Sequence, residues 1–539
     1  MDPMTTTSSS SREEIAVILA RTFLTLFLFF GATGLHLMMS QQGAEALGLV
    51  QAQDDSSVKK DLTNRLAEEK ASRWILDAVG RIPKDVRAPK GMSIVEIQNL
   101  TDQILLKGEE YLRDYPKGKN VSEVIPALCR VYLMNSNRHF LDSARVYKEN
   151  RGQSAPALWT VTLKKNYFGH IHDLLNQEFE KTDSEGEPPC QLIRLRADTF
   201  WHQQKYPQAS AQYKLILNNC PEAEERDVVR CALLNAQFKD RDHRGATQTA
   251  DDFLKLNSDS DLLPHVLGLK AKALVQSGRM SESLAWWKSI EGIIENAVQG
   301  DPLVIGDKTI EISDRCRKDF QRYYEELHFS IGYIEFALGN YKAAAESFTR
   351  EMDLLNDLIN SQSISQVGQI YAKRTERVLD TMLRFAGKPT PVIDLESNWV
   401  GSVAFDPKQE QGNVLLLLFA PYENQRYFET LSNLQKLYMT HGNDGLRVAW
   451  ISNSKGNTPQ MEQMDRIAAQ CREMGLAFPA GIDLGEGSPT FAEYNSPLGG
   501  GSIIAVNRKG EFSWYKLDPT FRDDSVISQV ARRLLEDSP

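Results

Sequence analysis

From about Asp54 to Leu383 the sequence keeps a helical period, with few alternating β-branched residues and short polar connectors. A helical stretch of this length has to be built from units that each bury an apolar stripe against the next. The period breaks at Gly387 to Ser397, GKPTPVIDLES, where two prolines interrupt it. Beyond this break the chain has a different texture. Val414 to Ala420 is wholly apolar and predicts a buried strand, and Leu431, Leu434, Leu437 and Tyr438 then fall at helical spacing. A second strand is predicted over Leu446 to Ser452 and a helix over Pro459 to Met474. A hairpin over Ser502 to Leu517 and a closing helix over Ser525 to Leu535 complete the expected order. At 539 residues and ~150 residues per domain the chain has room for three or four units. The expected fold class is multidomain: an N-terminal hydrophobic segment within 1–54, an all-α repeat region over 55–386 and an α/β domain over 387–539.

The helical region repeats. In Leu192 to Pro221, the residues Ala197, Phe200, Tyr206, Ala209, Tyr213, Leu217 and Pro221 stand at the spacing of the tetratricopeptide (TPR) signature, which this segment resembles. Ile331 to Phe348 resembles it more closely, through Gly332, Gly339, Tyr341, Ala344 and Phe348. Between them, Gly278, Ser283 and Trp287 fill the same slots, as do Ala246 and Phe253. The equivalent small residues Ala209, Ala246 and Ser283 are 37 apart, whereas Ser283 and Ala344 are 61 apart. An insertion is therefore expected within Glu291 to Tyr324. Tyr111 to Leu133 is a weaker match, read as a divergent or capping repeat. Thr182 to Cys190, acidic and with two prolines, reads as a surface loop.

The resemblance implies a solenoid whose first helices line a concave peptide-binding face. Its groove positions fall here on Arg194, Asp198, Trp201, His202, Asn235, Lys239, Lys272, Gln276, Tyr333 and Phe336. The plainer alternative for each is inter-repeat packing for an aromatic and a solvated face for a charge. Trp286 and Trp287 are adjacent, so one belongs in the core and the other is partly exposed.

The C-terminal region resembles the thioredoxin-like superfamily, in the branch shared by peroxiredoxins and membrane-anchored thiol-disulfide reductases. The resemblance rests on GKPTPVIDLES as the domain entry, the strand and helix order, and Asn507 to Gly510 as the hairpin turn. It implies a redox pair where the first strand enters its helix, with the attacking thiolate stabilised at the helix N-terminus. In this sequence Asn424 and Tyr427 stand where the two cysteines belong, and APYENQRY contains no thiol. The family's facing cis-proline is replaced by Gly499-Gly500-Gly501. The triglycine precedes a strand and lacks a following Lys-Ser/Thr, which argues against a phosphate loop. Asn424 reads as a helix N-cap in preference to part of an anion site.

The remaining features bear on location. Ile15 to Met39 is almost wholly apolar except for Arg21, a signal peptide or an uncleaved membrane anchor. Two small-x-small sites follow, Ala44-Glu45-Ala46 and Val50-Gln51-Ala52, either of which could be cut. Either reading places the bulk of the chain in the cell envelope, outside the cytoplasm. The six cysteines lie outside C-x-x-C or metal-ligand spacings and read as buried thiols, with one or two disulfides if the chain is exported. Cys471, alone in the C-terminal domain, falls with the apolar set Ile467, Ala468 and Met474. A formal charge of -10 without a basic stripe argues against nucleic acid. The expectation is a non-enzymatic scaffold that needs no cofactor and no metal and binds protein partners. The alternative is a thiol-disulfide oxidoreductase or redox chaperone using a non-standard cysteine.

Overall fold

The computed structural model describes residues 56–82, 94–134, 168–180, 189–221, 225–306, 308–390, 398–400, 405, 409–454, 458–483, 501–517 and 524–537. The N-terminal apolar run, most of the expected surface loop and Gly499-Gly500 lie outside these residues. Among the described residues, no helix is long and apolar enough to cross a membrane.

The chain forms two compact units, 1–131 and 132–539. In the first, α1 (Ser56–Gly80), α2 (Ile94–Asp114) and the start of α3 (121–134) bury Ile75, Ile104, Tyr111, Val124 and Leu128. Asn120 donates to Ser72 Oγ at 2.8 Å and the Tyr111 hydroxyl to Glu68 at 3.3 Å.

The second unit begins with helices. After α4 (168–180) come α5 (Cys190–His202), α6 (Tyr206–Asn219), α7 (Arg226–Lys239), α8 (His243–Leu256), α9 (Leu263–Gln276) and α10 (Met280–Gln299). A two-stranded hairpin, β1 (Leu303–Ile305) and β2 (Lys308–Ile310), and α11 (Asp314–Tyr324) come next, then α12 (Leu327–Ala337), α13 (Tyr341–Asn360) and α14 (Gln366–Phe385).

Four of these helices end in the same turn. Gln204, Arg241, Gly278 and Gly339 are the middle residues of three-residue connections, and all have positive φ, 61°, 65°, 84° and 85°. In each turn three N–H groups fold back onto the preceding helix, as when Gln203, Gln204 and Lys205 donate to the carbonyls of Thr199, Trp201 and Phe200. These bonds satisfy carbonyls that a helix end leaves unpaired. Ala209, Ala246, Ser283 and Ala344 are each fully buried where the helices of a pair approach closely, and Tyr213, Phe253, Trp287 and Phe348 fill the space between pairs. The repeat seen in sequence is thus a repeat of helical hairpins. The long gap is filled by the extended α10, the β1–β2 hairpin and α11.

The C-terminal strands form one six-stranded sheet in the order β3-β6-β5-β4-β7-β8. Its strands are β3 (Trp399–Val400), β4 (Val414–Phe419), β5 (Leu446–Asn453), β6 (Ala480–Asp483), β7 (Ser502–Val506) and β8 (Phe512–Leu517). Strands β4, β5 and β6 run parallel, and β3, β7 and β8 antiparallel to their neighbours. Helix α15 (Phe428–His441) joins β4 to β5, α16 (Gln460–Met474) joins β5 to β6, and α17 (Asp524–Glu536) comes after β8. All six residues of β4 are buried, as expected of a central strand covered on both faces. Ala480 to Asp483, for which no strand was expected, forms β6. The short β3 and the β1–β2 hairpin had no signal long enough to predict.

Sheet and later repeats share one core, running from Leu263 and Trp287 through Phe336 and Phe348 to Leu416, Trp450, Trp514 and Val530. The earlier repeats have smaller cores of their own, around Tyr213 and around Phe253.

Candidate functional site

The turn from β4 into α15 is closed by its own hydrogen bonds. Ala420 is held to β5 by its N–H on Ile451 O at 3.0 Å and by the Trp450 indole N–H on its carbonyl at 2.9 Å. The N–H of Tyr422 donates to Ser452 Oγ at 3.0 Å. A short 3-10 turn, Gln425 to Tyr427, opens the helix, and Asn424 caps it by accepting the N–H of Arg426 at 3.2 Å. The N–H of Tyr427 is taken by the Asn424 carbonyl at 3.1 Å. The N–H groups of Tyr422, Arg426 and Tyr427 are thus engaged.

Tyr427 points inward and is 1% exposed. Its hydroxyl accepts the N–H of Gly501 at 2.5 Å, so two of the positions expected to have lost the redox chemistry meet each other. A side chain at 501 has no room: a Cβ there would lie 2.5 Å from Phe419 O, 3.1 Å from Tyr427 Cζ and 3.2 Å from Ala420 Cβ. A proline would in addition lack the N–H that Tyr427 receives. An amide at 424 and a buried phenol at 427 leave no nucleophile to attack a disulfide or peroxide.

The domain's cysteine lies elsewhere. Cys471, half-buried on α16, lines a cavity of about 560 Å³ with Val400, Tyr438, Arg447 and Phe478. Arg447 belongs to the beginning of β5, whereas the 420–427 turn leaves the end of β4, and the parallel register sets these at opposite ends of the two strands. Burial pushes the Cys471 thiol up to about 11, which leaves little thiolate at neutral pH.

The helical repeats carry a second candidate site. Asp198, Trp201 and His202 of α5, Tyr213 of α6 and Asn235 of α7 line a cavity of about 370 Å³ with Val228 and Leu262. Four of the expected groove residues come together here. Arg194 donates from Nε to both oxygens of Asp198 at 3.1 Å, and the Tyr213 hydroxyl donates to the same carboxylate at 2.7 Å. Burial, followed by the Asp198 charge, raises the Tyr213 pKa beyond its ordinary value, so it stays a donor. Asn235 is fixed by the Cys231 carbonyl at 2.8 Å and by His265 at 3.1 Å. Cys231 is pushed up to about 12 by burial and packs as an apolar side chain.

The other groove positions have a different fate. Lys239 and Lys272 are exposed, the latter 3.5 Å from Glu326. Gln276 ends α9 beside the point where Gln529 and Ser525 of α17 donate to Val275 O at 3.0 and 3.4 Å. The Tyr333 ring lies 3.9 Å from Lys516 Nζ and 5.9 Å from the Trp514 ring, both on β8. Phe336 is fully buried in the shared core. Around Tyr333 and at the end of α9, the later helices are therefore covered by the chain's own C-terminal domain. Of the tryptophan pair, Trp287 is core and Trp286 is half-buried, donating to Leu267 O at 3.1 Å.

Sequence reasoning also left the cysteine pairing open. Cys190 and Cys220 form a disulfide that ties the start of α5 to the end of α6, and Cys129, Cys231, Cys316 and Cys471 are free.

Strand order and connections define the C-terminal part as a thioredoxin-like domain joined to helical hairpins. No protein-family model matches the chain, and no curated protein matches it. Among solved structures it is similar to a thiol-disulfide isomerase of Corynebacterium glutamicum, at 18% identity over 28% of this chain and 97% of that one, with a TM-score of 0.24. A thiol:disulfide interchange protein of Chlorobium tepidum is similar at 12% identity, over 28% and 98% of the two chains, with a TM-score of 0.22. A secreted Mycobacterium tuberculosis disulfide oxidoreductase gives 16% identity, 24% and 87% coverage and a TM-score of 0.19. The class rests on the strand order of this chain and not on those scores.

Proposed function

We propose that this chain is a non-enzymatic binding protein of the cell envelope, with TPR-like repeats that hold a protein partner and a thioredoxin-like domain without redox activity. The observation that carries the reading is the pairing of Tyr427 with Gly501, which fills with a phenol the place where a thiol and a substrate would meet. The cavity between α5, α6 and α7 supports the binding role, because it offers an aromatic anchor in Trp201 and fixed polar groups in Asp198 and Asn235. The membrane-length apolar run at 15–39 supports an exported or anchored location, as does the Cys190–Cys220 disulfide, which persists in an oxidising compartment.

Insulin reduction tests the first half of the reading: the whole chain and its Cys471→Ser variant show no turnover, and cysteine-dependent turnover overturns it. Affinity capture from an envelope extract tests the second half. Trp201→Ala loses what the wild-type chain retains, while Asn424→Ala retains it. Capture unchanged by Trp201→Ala removes the cavity from the function.

A further inference from the structure

A group of metal-ligating side chains lies outside both sites, between α10 and α12. Glu291 and Glu295 stand one helical turn apart on α10 and present their carboxylates on one face. His328, on the first turn of α12, faces them with Nδ1 3.8 Å from Glu291 Oε1. One ligand atom from each of the three lies within 4.8 Å of the others.

Two observations make this more than an acidic cluster. His328 is 9% exposed, and its Nδ1 stands beyond hydrogen-bond reach of Glu291, so the ring is turned toward the carboxylates without being bonded to them. The second is the like-charged i,i+4 pair itself, which opposes the helix that carries it unless a cation sits between the two carboxylates. Burial lowers the His328 pKa, the Glu291 charge opposes that shift, and Arg350 adds to it.

We propose that Glu291, Glu295 and His328 form a binding site for a divalent transition-metal ion of the zinc class, which staples α10 to α12. Two carboxylate oxygens and one imidazole nitrogen are a ligand set that suits such an ion, and three protein ligands leave a position for water. Bonds of about 2.0–2.1 Å put tetrahedral ligand atoms about 3.3 Å apart. The ligand atoms already lie within 4.8 Å of one another, and both glutamate side chains are half-buried.

The test uses the full chain stripped with chelator and titrated with Zn²⁺ against a chromophoric competitor. Wild type binds one Zn²⁺ equivalent more than Glu291→Gln/Glu295→Gln, and His328→Gln loses the same equivalent. The melting temperature supplies a second reading. Zn²⁺ raises it in wild type and leaves it unchanged in the double variant. Without metal the double variant melts at or above wild type, because the carboxylate repulsion is gone. Equal stoichiometry in wild type and both variants overturns the site, as does a double variant whose melting temperature still rises with Zn²⁺.

Discussion

Replacing Gly501 by proline restores the residue type that the thioredoxin-like resemblance places opposite the redox pair, yet in this chain it should be strongly destabilising. The first cost is steric. A Cβ at 501 would come within 2.5 Å of the Phe419 carbonyl, a backbone atom of the central strand, so β4 or β7 must shift. Overpacking of this kind costs about 1–3 kcal/mol. The second cost is polar. Proline removes the N–H that the Tyr427 hydroxyl accepts and puts its Cδ where that hydrogen pointed, so a buried hydrogen bond is lost at a cost of about 1–3 kcal/mol. Together the loss is roughly 4 kcal/mol, or a fall of more than about 1 M in the urea midpoint for a slope near 3 kcal/mol/M. Trp450 and Trp514, both fully buried in the same sheet, report the transition by fluorescence. Tyr427→Phe separates the two costs, since in that background Gly501 has already lost its acceptor. The double-mutant cycle should return a coupling of about 1 kcal/mol. Gly501→Pro within about 0.5 kcal/mol of wild type, a change typical of a tolerant surface site, would refute the reading of a closed turn.

The repeats, the disulfide and the buried histidines carry further expectations. Gln204 occupies the left-handed position that Gly278 and Gly339 fill in equivalent turns, so Gln204→Gly should stabilise by about 0.5–1 kcal/mol and Gly278→Ala should destabilise by a similar amount. Chemical denaturation showing the same sign for both would contradict the equivalence of the turns. Cys190→Ala/Cys220→Ala releases a cross-link spanning 30 residues and should cost about 2–4 kcal/mol, whereas Cys471→Ser changes stability little. An unchanged midpoint for the double variant would show that the bond does not brace α5 and α6. His172 and His243 are both held below the ordinary imidazole value of 6.5 by burial, and a neighbouring Arg241 lowers His243 further. The unfolded chain then binds more protons just below 6.5, so their contribution is complete above that pH and is lost as pH falls through it toward the folded pKa values. A urea midpoint measured from above pH 7 to about pH 5 should fall, and His243→Asn should flatten the slope; an identical slope in the variant would exclude this histidine as a source.

Much of the architecture was legible because it depends on local pattern. Val414 to Phe419 could only be a central strand, and the spacing of Ala209, Ala246 and Ser283 marked equivalent points of successive hairpins that the repeated left-handed turns now display. Asn424 was readable as a cap because an N-cap bond spans only a few residues. What escaped the sequence depends on contacts between distant segments. The β3 strand is two residues long and exists through its pairing with β6. Cys190 and Cys220 meet because α5 and α6 fold back on one another, and no spacing rule selects them from the fifteen pairings of six cysteines. The meeting of Tyr427 with Gly501 spans 74 residues and needed the sheet register.

The expected groove positions show the same limit. A repeat signature places Asp198, Trp201, Tyr333 and Phe336 alike on the first helices of their pairs, so sequence alone treats them as one surface. The sheet divides them. Lys516 and Trp514 of β8 cover Tyr333, Tyr341 donates to Ser513 O at 3.2 Å, and Gln529 reaches Val275 at the end of α9. The Tyr427–Gly501 hydrogen bond closes the β4–α15 turn, while β8 and α17 pack on the later helices through a continuous apolar core. The domain thus packs against its own later helices, and the expected groove positions it leaves uncovered include Trp201 and Asn235.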